Sequence, residues 1–224
     1  MRVVVYSEGS GETAGQTTLP PSSGALMRPD QLGAAHFLVE RCLRECAGMK
    51  DEVRFEGPLR DEDGRVARGS TLRTSSTLRR LLTWPNPTRR PDLAVVLVDS
   101  GKDNDAIVKH GLEVVVQGLH VKVVIGVARP EFEAWLIVDC ACAASVLGAT
   151  LSEPPDPEKL GPSEAKEILN QWIGQHGGLA GHADPKARKK DLRLKIAKAC
   201  NLDTLARRCR SFELFLKDLI RDWP

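Results

Sequence analysis

The segment PDLAVVLVDS, residues 91–100, constrains the fold more than any other part of the chain. It is apolar without alternation from Leu93 to Val98, then stops on Asp99 and the polar turn SGKDND. An unbroken apolar run this short is a strand covered on both faces, because a half-exposed strand would alternate. Two further runs have the same character: RVVVYS near the start and HVKVVIGVA at 120–128. Strands buried on both faces, separated by segments of helical length, predict an α/β fold: a mainly parallel sheet flanked by helices.

The intervening segments fit that plan. Helical spacing of apolar residues predicts a helix over 31–47, and EVRFEGPL reads as a short strand broken by Gly57 and Pro58. STLRTSSTLRRLLTW reads as a helix with a basic face, stopped by Pro85 and Pro87. Residues 106–118 fit a helix joining two parallel strands, and residues 10–30, rich in Gly, Ser, Thr and Pro, a loop. EFEAWLIVDCACAASVLG reads as one helix entered through Pro130, with acids in its first turn where the helix dipole favours them.

After Gly148 the composition changes. The expected organisation is an α/β core over residues 1–150 and a helical extension over 151–224 packed on it. The extension opens with the Pro-rich, acidic SEPPDPEKLGP. It continues with a helix capped by Ser163, a flexible HGGLAGHADPKA, and two helices, RKKDLRLKIAKAC and SFELFLKDLI. Trp135, Phe212 and Phe215 are expected in the core. No apolar run approaches the roughly 20 residues of a membrane helix, and no secretory leader is visible, so a cytoplasmic protein is expected. The six cysteines lack zinc-type spacing and read as free thiols, and the five histidines have no ligand-like spacing.

Net charge is only +2, but it is unevenly spread. Seven arginines and no acid lie between Arg65 and Arg90, among them Arg68, Arg73, Arg79 and Arg80. Between Lys186 and Lys195 six basic residues, Lys189 and Lys190 included, face Asp191 alone. Local surpluses of this kind suit phosphate backbones, although either run also fits a solvated helix face. Acids, by contrast, stand at strand ends: Glu8 after the first strand, Asp99 closing the third, Glu131 and Glu133 after the fourth. Ligand sites in open parallel sheets gather at those ends. Converging carboxylates repel unless a cation lies between them, and a hard divalent ion such as Mg²⁺ chooses oxygen ligands of this kind. Such a site suits phosphoryl transfer or phosphodiester hydrolysis. The loop EGSGE is neither a P-loop, nor a dinucleotide fingerprint, nor a nucleophile elbow.

VVVYSEGSGE resembles the first motif of TOPRIM domains, and AVVLVDSGKDND stands where those domains carry Asp-x-Asp. PEFEAWLIVD, DPEKLGPSEAKEIL and CRSFELFLKDL together resemble a family of small bacterial TOPRIM-like proteins, related in pattern to the nuclease domains of OLD-type proteins. The likeness runs from end to end, with EFEAWL its most specific part. It implies a TOPRIM-like fold and Mg²⁺ or Mn²⁺ held by Glu8, Asp99 and Glu133, with Glu131 as an alternative to the last. The chain departs from the pattern at Gly101, where the second aspartate belongs; Asp103 and Asp105 in the same turn are the candidate replacements. The implied activity is metal-dependent hydrolysis of DNA or RNA, with Glu8, Asp99 and Glu133 catalytic. Arg73, Arg79, Arg80, Lys189 and Lys190 would hold the nucleic acid. An ABC- or SMC-like ATPase partner and a role in phage defence follow from the same resemblance. The alternative is a catalytically degenerate TOPRIM-like subunit that binds an ATPase or nucleic acid; a nucleotide-processing enzyme on the same acids is a third reading.

Overall fold

The computed structural model describes residues 1–16, 21–60, 64–67, 69–84 and 87–221; Arg68 and Pro85 lie outside them. The elements run β1 (Arg2–Ser7), α1 (Ser10–Thr13), α2 (Ala34–Arg41), β2 (Arg54–Glu56), α3 (Ser75–Leu81), β3 (Leu93–Asp99), α4 (Asp105–Val116), β4 (Lys122–Ala128), α5 (Glu133–Ile137) and α6 (Cys140–Leu147). Four more helices follow: α7 (Glu164–His176), α8 (Pro185–Ala199), α9 (Leu202–Arg208) and α10 (Arg210–Arg221). The four strands form one parallel sheet in the order β2-β1-β3-β4.

Both faces of that sheet are covered, as its apolar runs require. Side chains alternate along each strand, so Val3, Val5, Val95 and Leu97 enter one hydrophobic cluster, and Val4, Tyr6, Val96 and Val98 the other. The first cluster is closed by α2 and by helices from α5 to α10; the second by α3 and α4. At the centre of the first, Trp135 stacks on Phe215 at 5.5 Å and meets Phe212 edge-on at 5.2 Å. Its indole N–H donates to Ser211 Oγ at 2.9 Å, which satisfies the one polar atom of the buried ring.

Several expected boundaries move, each for a local reason. The supposed loop after β1 contains α1, a single turn too short to show a period. The helix over 31–47 is α-helical only to Arg41 and continues as a π turn, Cys42–Cys46. The basic segment divides at Thr74 into a 3₁₀ turn, Gly69–Arg73, and α3. The expected single helix after β4 breaks at Asp139, whose Oδ1 accepts the Cys142 N–H at 3.0 Å and so caps α6. Ser163 does precede α7, but at φ 72° and without a side-chain cap bond. Glu164 reaches back instead to the Gly161 N–H at 2.8 Å. HGGLAGHADPKA is not featureless: it makes a 3₁₀ turn at Leu179–Gly181, and Asp184 caps α8 through the Ala187 N–H at 3.0 Å. The two final helices are three, because Asn201 caps α9 through the Thr204 N–H at 2.8 Å.

Candidate acidic site and adjoining basic cleft

The strand order fixes where a site belongs. From β1 the chain moves outward to β2, whereas from β3 it moves the opposite way to β4. The two connections part between β1 and β3 and leave a crevice at their carboxyl ends. Ser7 pairs with Leu97, and the Glu8 N–H donates to Leu97 O at 3.0 Å, so Glu8 and Asp99 flank that crevice.

Glu8 Oε2 accepts the Asp99 backbone N–H at 3.1 Å and Arg73 Nε at 3.2 Å. Arg73 Nη1 reaches Asp103 Oδ2 at 2.9 Å, so one guanidinium joins two of the expected acids. The Asp99 carboxylate, whose place on so apolar a strand demands a partner, accepts the Phe132 N–H at 2.8 Å. Burial pushes Asp99 up to about 7; the Phe132 bond opposes the rise, and Glu133 and Glu8 add to it.

A fourth acid completes the group, one that the motif contains but the strand-end reasoning passed over. Glu12, on α1, is buried and accepts the Ser7 hydroxyl. Burial holds its pKa well above the usual carboxylate range, and Asp99, Glu133 and Glu8 push the same way. Gly9 makes room for it, since a Cβ there would lie 1.9 Å from Glu12 Oε1. The signal in the sequence is the second glutamate of Glu8-Gly9-x-x-Glu12, brought back beneath β1 by the single turn of α1.

Of the two acids after β4, Glu133 pushes up both Asp99 and Glu12, and Glu131 adds to the rise of Asp99. Glu131 Oε1 accepts the Lys166 backbone N–H at 2.7 Å, which fastens α7. Buried Glu133 pairs with Arg193 Nη1 of α8 at 3.3 Å, and Arg193 Nη2 donates to Asn170 Oδ1 at 3.0 Å. Asp105 pairs with Arg129 at 3.5 Å, away from Arg73. Gly101 has φ +60°, a left-handed turn position that favours glycine, with open space where a Cβ would stand.

Glu12 and Glu133 also form one wall of a cleft of about 360 Å³. Lys186, Lys189, Lys190 and Arg193 line it from α8, Lys166 and Asn170 from α7, and Gly9 and Gly11 from the chain after β1. The structure thus brings Lys189 and Lys190 to the acids and ties Arg73 directly to Glu8. Arg79 and Arg80, on exposed positions of α3, do not line this cleft.

The donor chemistry fits a hard divalent cation: the oxygens are carboxylates, and Asp99 and Glu12 are both raised in part by their acidic neighbours. Among the described residues no three Asp, Glu, His or Cys side chains stand close enough together to hold a metal ion between them. A Mg²⁺-type ion does not require three, since it keeps waters and takes substrate phosphate oxygens alongside one or two carboxylates. No helix of the described residues is long and apolar enough to cross a membrane. The fold and site define a parallel α/β domain with an acidic crevice at its topological switch point. No known protein family, curated protein or solved structure matches the chain.

Proposed function

We propose that this chain is a divalent-metal-dependent phosphodiesterase of TOPRIM-like type acting on DNA or RNA. The observation that carries the reading is the juxtaposition of four carboxylates, at the sheet's switch point, with a cleft lined by lysines. The acids alone fit many metal sites; acids beside a basic cleft fit a polyanion that must be both held and cut. The resemblance in EGSGE, AVVLVDS and EFEAWL supports the same conclusion and extends it to an ABC- or SMC-like ATPase partner in phage defence.

In this reading Glu8, Asp99 and Glu133 would hold Mg²⁺ or Mn²⁺, which supplies neutralising charge at the scissile phosphate and a more acidic water. Without a cation Asp99 is pushed up to about 7, and a bound divalent ion would favour its ionised form. Glu12, beside Asp99, is pushed well above the usual carboxylate range by burial and by the charges of Asp99, Glu133 and Glu8. Arg73 orients Glu8, and Arg193 orients Glu133.

One arrangement favours the non-catalytic reading. Arg73 already gives Glu8 and Asp103 a cationic partner, and the second aspartate of the TOPRIM pattern is Gly101. Cleavage of plasmid, single-stranded DNA and RNA with Mg²⁺ or Mn²⁺ separates the two, with and without an ATPase encoded beside the gene. The expected outcome is metal-dependent cleavage that falls at least about 100-fold in both Glu8→Ala and Asp99→Ala, as for removal of a transition-state contact. Wild type as inert as both variants under every condition, yet binding its partner, would establish the binding subunit instead.

A further inference from the structure

The basic run of α8 is not a uniformly solvated face. Lys186, Lys189, Lys190 and Arg193 stand at i, i+3, i+4 and i+7, one stripe of the helix, and that stripe lines the cleft. The helix's one acid is engaged off the stripe: Asp191 pairs with Arg188 at 3.1 Å and with Lys195 at 2.9 Å. Lys186, Lys189 and Lys190 make no ion pair among the described residues. From α7, Lys166 and Asn170, at i and i+4, face the same space.

Five cationic side chains therefore meet two carboxylates, Glu12 and Glu133, within one cleft. Lys189 is lowered by burial and then by Arg193 and Lys166, so the cations crowd one another as the acids do. Arg193 Nε is buried and has no hydrogen-bond partner among the described residues, while its two terminal nitrogens hold Glu133 and Asn170. An anion drawn among these groups relieves the repulsion between them.

The chemistry of the lining narrows the anion. Flexible ammonium groups act as point charges and suit the several oxygens of a tetrahedral phosphate. Among the described residues no aromatic side chain lines the cleft, and they offer no platform for a stacked base. Its volume of about 360 Å³ admits a phosphate with part of its sugar and not a duplex.

We infer that this cleft seats a backbone phosphate of a single nucleic-acid strand next to the acidic crevice, gripped by Lys166, Lys186, Lys189 and Lys190. The identity of the strand rests on the function proposed above; the phosphate class rests on the cleft itself. Arg193 is a positioning residue here, tying the floor of the cleft to Glu133. Because the grip is on phosphate, the site reads no base.

The test is fluorescence anisotropy of end-labelled single-stranded 12-mers of different sequence, in EDTA so that nothing is cut. Lys166→Ala/Lys189→Ala is compared with wild type and with Lys195→Ala, which lies off the stripe. Expected are a loss of affinity of about tenfold or more in the double variant, equal across sequences, and a salt slope shallower by about 1 to 2. Lys195→Ala stays near wild type, and millimolar inorganic phosphate competes with the strand. Circular dichroism melts confirm that the double variant is folded. Unchanged affinity and salt slope in the double variant, or no strand binding by wild type, would overturn the inference. Neither result depends on cleavage, so metal-dependent activity lost in Glu8→Ala would leave the proposed function standing while this site fell.

Discussion

Asp99 is where the fold and the site make opposite demands. Its side chain closes the most apolar strand in the chain, and burial pushes it up to about 7, while one backbone N–H, from Phe132, holds it down. An unfolded aspartate ionises near 3.9. Below that pH both states carry the proton, and Asp99 adds no pH dependence. Between about 4 and 7 the folded state keeps a proton that the unfolded state has released, so stability falls as pH rises. The slope from this one group reaches at most about 1.4 kcal/mol per pH unit, and above 7 the deficit is constant. Glu12, raised in the same direction, adds to it. Thermal melts from pH 4.5 to 7.5 should therefore show a falling Tm in wild type and a flatter profile in Asp99→Asn, which retains an oxygen for Phe132. Mn²⁺ at pH 7.5 should restore Tm in wild type and do little for the variant. An identical profile in both proteins would show that Asp99 is not the strained group.

Elements differ in how much room they leave. Gly126 lies on β4 beneath α10, and a Cβ there would stand 2.6 Å from Leu97 Cδ2 and 2.8 Å from Phe215 Cδ2. Gly126→Ala should cost about 1–3 kcal/mol in urea unfolding, the usual effect of overpacking a filled core. Gly111 lies inside α4 on the exposed face, with nothing within 4 Å of its would-be Cβ. Gly111→Ala should stabilise by about 0.5–1 kcal/mol, because alanine loses less backbone freedom in a helix. The sequence places Gly126 in a buried strand and Gly111 in a helix, but the room at each depends on what packs against it. What the sequence does display is burial along strands: the unbroken runs ending at Ser7, Asp99 and Ala128 predict a sheet covered on both faces, and their ends display Glu8 and Asp99. The break at Asp139 was hidden, because it depends on a cap and on a second bond, from the Asn201 N–H to Asp139 Oδ2 at 2.8 Å. The lysine stripe was visible as a basic run, but the direction it faces depends on where α8 lands. Arg73 was grouped with its basic neighbours, and only the 3₁₀ turn Gly69–Arg73, hydrogen-bonded through Gly69 to Glu8 O at 2.8 Å, aims it at the acids.

At the scale of the whole molecule, the helical extension is part of both the core and the site. Phe212 and Phe215 of α10 pack on Trp135, while Leu192 and Ile196 of α8 belong to the same cluster as Val3, Val95 and Leu97. Arg193 of α8 completes the pairing of Glu133, and the lysines of α7 and α8 form the basic side of the cleft. Each fully buried large apolar side chain contributes about 1.5–3 kcal/mol, and a domain of this kind holds only about 5–15 kcal/mol in total. Residues 1–150 alone would thus lose the share of that cover supplied by α7 to α10, and with it more than that margin. The full chain should melt in one cooperative transition, whereas 1–150 should bind a hydrophobic dye and unfold without a clear midpoint. A cooperative melt of 1–150 close to the full chain's Tm would mean that α2, α5 and α6 suffice to cover the sheet. In that case α7 to α10 contribute chiefly to the cleft, and truncation should weaken strand binding far more than stability. The two outcomes assign the extension either to folding and function together or to function alone.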